Sequence, residues 1–239
     1  MTARRTKRPA ILFILRVLLS IFGITGIQGY AAVYAAAPKV ISAPGRTVVP
    51  VAYLAPFGGS EMNSTDITPF YKMTGVLARM DDSLKKHQPQ PWTDNKTLLQ
   101  SLSPRAQAQK INHIINSYPY VSDITNWGVT DYWETPDEFF EDGGDCEDFA
   151  LAKYAWLHSL GVPERRLRIA IVHDTIKDAT HAVLILYINR VALVLDDQVD
   201  EIREGRAVTR YRMLYSINRL GWWLPALSGL PAPSVVPAE

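Results

Sequence analysis

Partway along this 239-residue chain the period of the apolar residues changes, and that change limits the available folds more than any other feature. Up to about residue 159, apolar positions recur at helical spacing behind recognisable helix starts. Ser103-Pro104 supplies an N-cap and a proline at the first helical position, ahead of a stripe of Ile111, Ile114 and Ile115. Thr135-Pro136-Asp137-Glu138 repeats the signal with a capping-box glutamate. Residues 69–86 read as a further helix. A helix opened by Asp145 carries Phe149, Ala152, Trp156 and Leu160 on one face and is stopped by Gly161 and Pro163. Beyond it the pattern turns to short β-branched runs at 167–172, 182–187, 191–195 and 208–217. N-terminal helices followed by an antiparallel β-sheet make an α+β fold, with the helix opened by Asp145 packed on the sheet.

The two ends of the chain read differently from this body. Residues 1–35 hold Arg4, Arg5, Lys7, Arg8 and Arg16 and no acid, so a chain of net charge +1 leaves −4 on the remainder. An acidic body excludes nucleic acid as the expected partner, because phosphate binding needs a basic face. The basic start, the apolar stretch 10–27 and the small-residue run 31–37 make residues 1–37 a signal peptide or an N-terminal membrane anchor. Either form places the body outside the cytoplasm. Residues 38–68, rich in Pro and Gly without a sustained period, read as a linker or arm, 69–224 as the folded domain, and 225–239 as a flexible tail.

Cys146 is the chain's one cysteine and lies in Gly143-Gly144-Asp145-Cys146-Glu147-Asp148, at a helix start. A lone thiol makes no intramolecular disulfide, although an exported chain permits one. Acidic neighbours also make it a poor apolar core filler. A helix N-terminus stabilises a thiolate, and a nearby imidazolium does the same, so Cys146 reads as a nucleophile that needs a histidine. His158 lies about 18 Å along the same helix and cannot reach. His87, His113 and His173 have no argument from position. His181 begins a strand that a hairpin at 188–190 folds back on the next, bringing it opposite Asp196 or Asp197. An even loop favours Asp196 and a three-residue loop Asp197. A carboxylate on the imidazole fixes its tautomer, as in a catalytic triad.

The acids beside Cys146 oppose its ionisation unless they face a cation. Asp145, Glu147 and Asp148 offer hard oxygen ligands that suit Ca²⁺, although acids in a first helical turn also simply complement the helix dipole. Zinc is disfavoured by one Cys and no His-x-x-x-His pair. Trp127, Tyr132 and Trp133 read as packing residues or a groove lining, and Trp222-Trp223 as sheet-edge packing.

The segment Trp127-Gly128-x-x-Asp131-Tyr132-Trp133-x-Thr135-Pro136-x-Glu138, with Gly144-Asp145-Cys146-Glu147-Asp148-Phe149-Ala150, Lys153-Tyr154 and Leu160-Gly161-Val162-Pro163, resembles the bacterial transglutaminase-like cysteine proteinases, the LapG-type periplasmic proteases. The resemblance spans residues 104–214. It implies a papain-like or transglutaminase-like fold and a Cys146-His181-Asp196 triad. It also implies Ca²⁺ held by Asp145, Glu147 and Asp148. One departure is Asp197, where the family often has Asn. The resemblance further implies periplasmic cleavage of a large surface adhesin near its N-terminus, releasing it during biofilm dispersal. Its inhibitor would be the periplasmic domain of an inner-membrane cyclic-di-GMP receptor. A non-catalytic binding module and a protein-glutamine transamidase are the alternatives.

Overall fold

The computed structural model describes residues 53–226, and the expected signal or anchor at 1–37 lies outside them, as do residues 38–52 and 227–239. Six helices precede most of a seven-stranded antiparallel sheet. Helix α1 (Tyr71–Lys86) buries Met73, Val76, Leu77 and Met80, one stripe at spacings of three and four. Helix α2 (Gln90–Ser101) buries only Trp92 and Leu99, too sparse a pattern to register in the sequence. Helix α3 (Pro104–Asn116) starts where Ser103 accepts the Ala106 amide, and it buries Ala108, Ile111 and Ile115. Short α4 (Asp123–Asn126) leads to α5 (Pro136–Asp142), which opens on a Thr135/Glu138 capping box. Gly143 ends α5 at φ 77°, with no room for a Cβ against the Pro119 carbonyl.

Helix α6 (Cys146–Ser159) is the centre of the molecule. Every residue from Asp148 to Leu157 is buried, because α3 and α5 cover one side and the sheet the other. The amphipathic face expected from sequence is therefore only part of its buried surface.

The strands run β1 (Glu61–Ser64), β2 (Leu167–Asp174), β3 (Ala179–Ile188), β4 (Val191–Leu195), β5 (Arg203–Glu204), β6 (Tyr211–Asn218) and β7 (Gly221–Pro225), in spatial order β1-β7-β6-β2-β3-β4-β5. Residues 53–68 are not a linker. Glu61–Ser64 is an edge strand paired with β7, and the preceding segment lies on the sheet face opposite the helices. There Tyr53 stacks on Tyr187 with centroids 4.3 Å apart, and Phe57 meets Tyr211 edge-on. Arg168 crosses the same face, pairs with Glu61 at 2.9 Å and lies 3.7 Å over the Trp223 ring. Trp222 is buried and donates to the Asp66 carbonyl, so the tryptophan pair is packing on both faces. No helix among the described residues is long and apolar enough to cross a membrane.

Candidate active site

Two pieces of local chemistry set the site. The first is the Gly143-Gly144 turn. The amide of Val121 donates to the Gly144 carbonyl at 2.9 Å, and a Cβ on Gly144 would collide with Asp148 and Glu134. Glycine lets the chain pass through this crowded corner and start α6 with Cys146 as its first residue. The second is the β3–β4 hairpin. Its loop is only Asn189-Arg190, both at positive φ (49° and 68°), the backbone of a primed two-residue turn. Leu184 pairs with Leu195, so the period of two places Asp196 on the same side as His181.

His181 and Asp196 are both buried, and Nε2 of the imidazole lies 2.9 Å from Asp196 Oδ1. Asp197 Oδ1 stands farther from the same nitrogen, at 3.4 Å. Asp196 also accepts the Gln198 amide on Oδ1 and the Tyr211 hydroxyl on Oδ2. Burial pushes the Asp196 carboxyl up, but the hydrogen bonds from His181 and Tyr211 outweigh it and hold the group below the usual range. Asp197 is raised, because burial there prevails over His181 and Lys153. With Nε2 committed to Asp196, Nδ1 is the nitrogen left for a partner. The structure thus brings together His181 and Asp196 and leaves the other four histidines elsewhere. His87, His113, His158 and His173 each face a different carboxylate, Asp137, Asp200, Glu164 and Asp178.

Helix α6 packs on β3, and the backbone amide of Ala182, next to His181, faces the Cys146 sulfur and favours its thiolate. Other surroundings act against ionisation. Burial, then Glu147 and Asp145, pushes the thiol up, and the sulfur lies 2.9 Å from Glu147 Oε2. Tyr120 stands beside the sulfur on the open side. It is 61% exposed and stacks on Phe149, and its hydroxyl is raised by burial and then by Cys146, Asp145, Glu147 and Asp197.

The acids around the thiol are more numerous than the sequence pattern indicated. Asp145 and Glu147 lie with the thiol in one group, and Asp123, Glu134 and Asp148 form a second, wholly buried one. Burial, then Glu147 and Asp148, pushes Asp145 up to about 9. Asp148 rises to about 8, by burial and then by Glu134. Asp148 differs from its neighbours in that its two oxygens accept the backbone amides of Glu134 (2.8 Å) and Asp145 (2.9 Å). Asp123 Oδ1 and Glu134 Oε2 are buried with no hydrogen-bond partner. Orphaned carboxylate oxygens packed this closely fit a hard cation. Trp127 and Tyr132 are half-buried and held by specific contacts. Trp127 donates to Glu134 Oε1, Tyr132 donates to Glu138 and sits under Arg79, and Trp133 is buried in the core.

Sequence reasoning missed Asp123, Glu134, Gln198, Tyr211 and Lys153. The first two precede Cys146 by 23 and 12 residues, with no fixed spacing to mark them. Lys153, two turns along α6, is fully buried, and its Nζ has no hydrogen-bond partner. Burial lowers it to about 7 against the pull of Asp197, Asp196 and Asp200.

Comparison with known proteins gives the family. Residues 85–224 match the family model described as bacterial transglutaminase-like cysteine proteinase BTLCP. Among solved structures, calcium-bound Legionella pneumophila LapG is 29% identical, with a TM-score of 0.53, covering 66% of this chain and 93% of that one. EGTA-treated Legionella pneumophila LapG is 31% identical, with a TM-score of 0.53, covering 64% and 88%. A search of curated protein sequences found no match. A family match over more than half of its length shows that the chain belongs to the bacterial transglutaminase-like cysteine proteinases.

Proposed function

We propose that this protein is an exported, calcium-dependent cysteine endopeptidase acting on the N-terminal region of a large surface adhesin in the periplasm. The observation that carries the reading is the delivery of a buried His181–Asp196 pair, by a two-residue hairpin, to the strand whose Ala182 amide faces the sulfur at the start of α6. Nδ1 of His181 takes the thiol proton as Cys146 Sγ attacks the peptide carbonyl, and then returns it to the leaving amine. Asp196, held by Tyr211 and the Gln198 amide, orients the ring and stabilises its cation. The nitrogens are used in the opposite sense to a Ser-His-Asp triad, where the carboxylate takes Nδ1. The Cys146 backbone amide, in the first turn of a helix where amides have no intrahelical acceptor, would donate to the developing oxyanion. Tyr120, exposed beside the sulfur, is the wall that a substrate meets.

Asp145 and Glu147, with Asp148 behind them, are the residues that would hold calcium. A divalent cation bound there supplies positive charge that offsets the acids now opposing thiolate formation. The calcium-bound form of the Legionella protein supports the choice of metal. By resemblance, cleavage would release the adhesin and promote biofilm dispersal, and a cyclic-di-GMP receptor of the inner membrane would sequester the protease. The test is incubation of an adhesin N-terminal fragment with wild type, C146A, and wild type in EGTA. Cleavage by wild type in calcium alone is the expected result, and equal cleavage by C146A would remove the assigned nucleophile.

A further inference from the structure

Gln198 stands against His181 in a way that neither the triad nor the family pattern accounts for. Its side-chain nitrogen is 3.3 Å from Nδ1 and 3.3 Å from Nε2 of the imidazole. An atom equidistant from both nitrogens in the ring plane would collide with Cε1, so the amide lies over the face of the ring. It therefore uses neither lone pair, and the hydrogen bond from Nε2 to Asp196 remains intact. Which end of the amide faces the ring is fixed from the far side. Gln198 Oε1 is 3.2 Å from Arg210 Nη2, and a guanidinium only donates. The oxygen must face Arg210, which turns the NH₂ group onto the imidazole.

Arg210 is itself immobilised. Its Nε and Nη2 grip both oxygens of Asp174, whose side chain is almost wholly buried at the end of β2. The Arg210 carbonyl accepts both the amide and the hydroxyl of Thr175. The guanidinium also lies 5.2 Å over the Tyr211 ring, and Tyr211 is the donor to Asp196. Asp174 and Arg210 thus brace two arms that converge on one imidazole. One runs through Tyr211 and Asp196 to the ring edge, the other through Gln198 to the ring face.

We propose that Gln198, oriented by Arg210, is a positioning residue for the catalytic imidazole. Its amide holds the ring plane so that Nδ1 stays free to serve Cys146. Arg210 and Asp174 act through it and, by the contact with Tyr211, through Asp196. The inference rests on the peptidase reading given above, and its test separates the two.

The variants are Q198A, Q198E, R210Q and the Q198A/R210Q pair, in calcium-loaded protein. The adhesin fragment serves as substrate, and ¹⁵N resonances of the His181 ring are read in a C146A background. Q198A is expected to lower kcat about tenfold with KM within about twofold, the signature of a misplaced reacting group. The double variant should lose less than the product of the two single losses, because Arg210 reaches the ring through Gln198 as well as through Tyr211. Q198E keeps the volume and the Arg210 contact but puts a carboxylate over the imidazole. Nδ1 should then show its protonated resonance at a pH where the Gln198 protein does not. The groups facing His181 in that titration are Asp196 and Asp197 at the end of β4, Tyr211 of β6, Arg210 behind Gln198, and Lys153 beneath the two aspartates. Unchanged kcat in Q198A, additive losses in the pair, or identical ring resonances in Q198E would overturn the proposal. Failure of the Gln198 parent to cut the fragment would instead count against the peptidase reading, and the ring resonances would still report on Gln198.

Discussion

Asp196 and Asp197 are adjacent acids with opposite environments. Asp196 receives three donors and stays ionised, while Asp197 Oδ1 is buried without a hydrogen-bond partner. D196N should therefore lower kcat at least about a hundredfold, through the wrong tautomer of His181. D197N should lower it about tenfold or less, and steady-state kinetics on one substrate compare the two. The family pattern already favoured Asp196, but sequence parity left the choice to the length of the hairpin loop. Lys153 carries a second residue-scale prediction. Below pH 7 its ammonium is protonated both in the folded and in the unfolded chain, and folding bears the full cost of burying it. Between about 7 and its ordinary value of 10.5 the unfolded chain binds a proton that the folded chain does not, so this contribution to stability rises with pH. K153M should thus raise Tm at pH 6, with a gain that shrinks toward pH 10. Thermal melts of the two proteins across that range check it.

At the scale of the element, α6 begins where it does because Asp148 reaches back over its own first turn. The Asp148 carboxylate accepts the backbone amides of Asp145 and Glu134 at once, tying the cysteine helix to the segment before α5. D148A leaves the buried Glu134 amide and the half-buried Asp145 amide unsatisfied and should cost about 2 to 4 kcal/mol. Urea unfolding at unchanged m-value measures it. The capping signals at Ser103, Thr135 and Asp145 were legible in the sequence because a cap is local chemistry within four residues. Helix α2, with two buried side chains, and strand β1, with four residues at a sheet edge, have no such local signature.

For the whole molecule, the dominant unbalanced quantity is the negative charge gathered by α4, the segment before α5 and the start of α6. In calcium-free protein the Asp145 carboxyl titrates near 9 instead of 3.8. From about pH 4 to 9 the unfolded chain has released a proton that the folded chain retains, so stability falls as pH rises through that window. Bound calcium offsets this charge and stabilises the fold by linkage. EGTA should therefore lower Tm more at pH 8 than at pH 5. A loss of equal size at both values would show that the acids around Cys146 do not form the calcium site. The same melts read the helical and strand halves together, since α6 lies between them and no part of its middle is exposed.

The sequence by itself determined the α+β order, the helix starts, the nucleophile candidate and the hairpin that pairs His181 with an aspartate. Each of these depends on neighbours within one turn or one hairpin, where spacing is rigid. Only the tertiary structure decided that Asp123 and Glu134 join the acid cluster and that Lys153 lies beneath the aspartates. These contacts cross between elements whose separation in the chain is not fixed by any period. Their partners are selected by how α6 beds on the sheet, which no local pattern encodes.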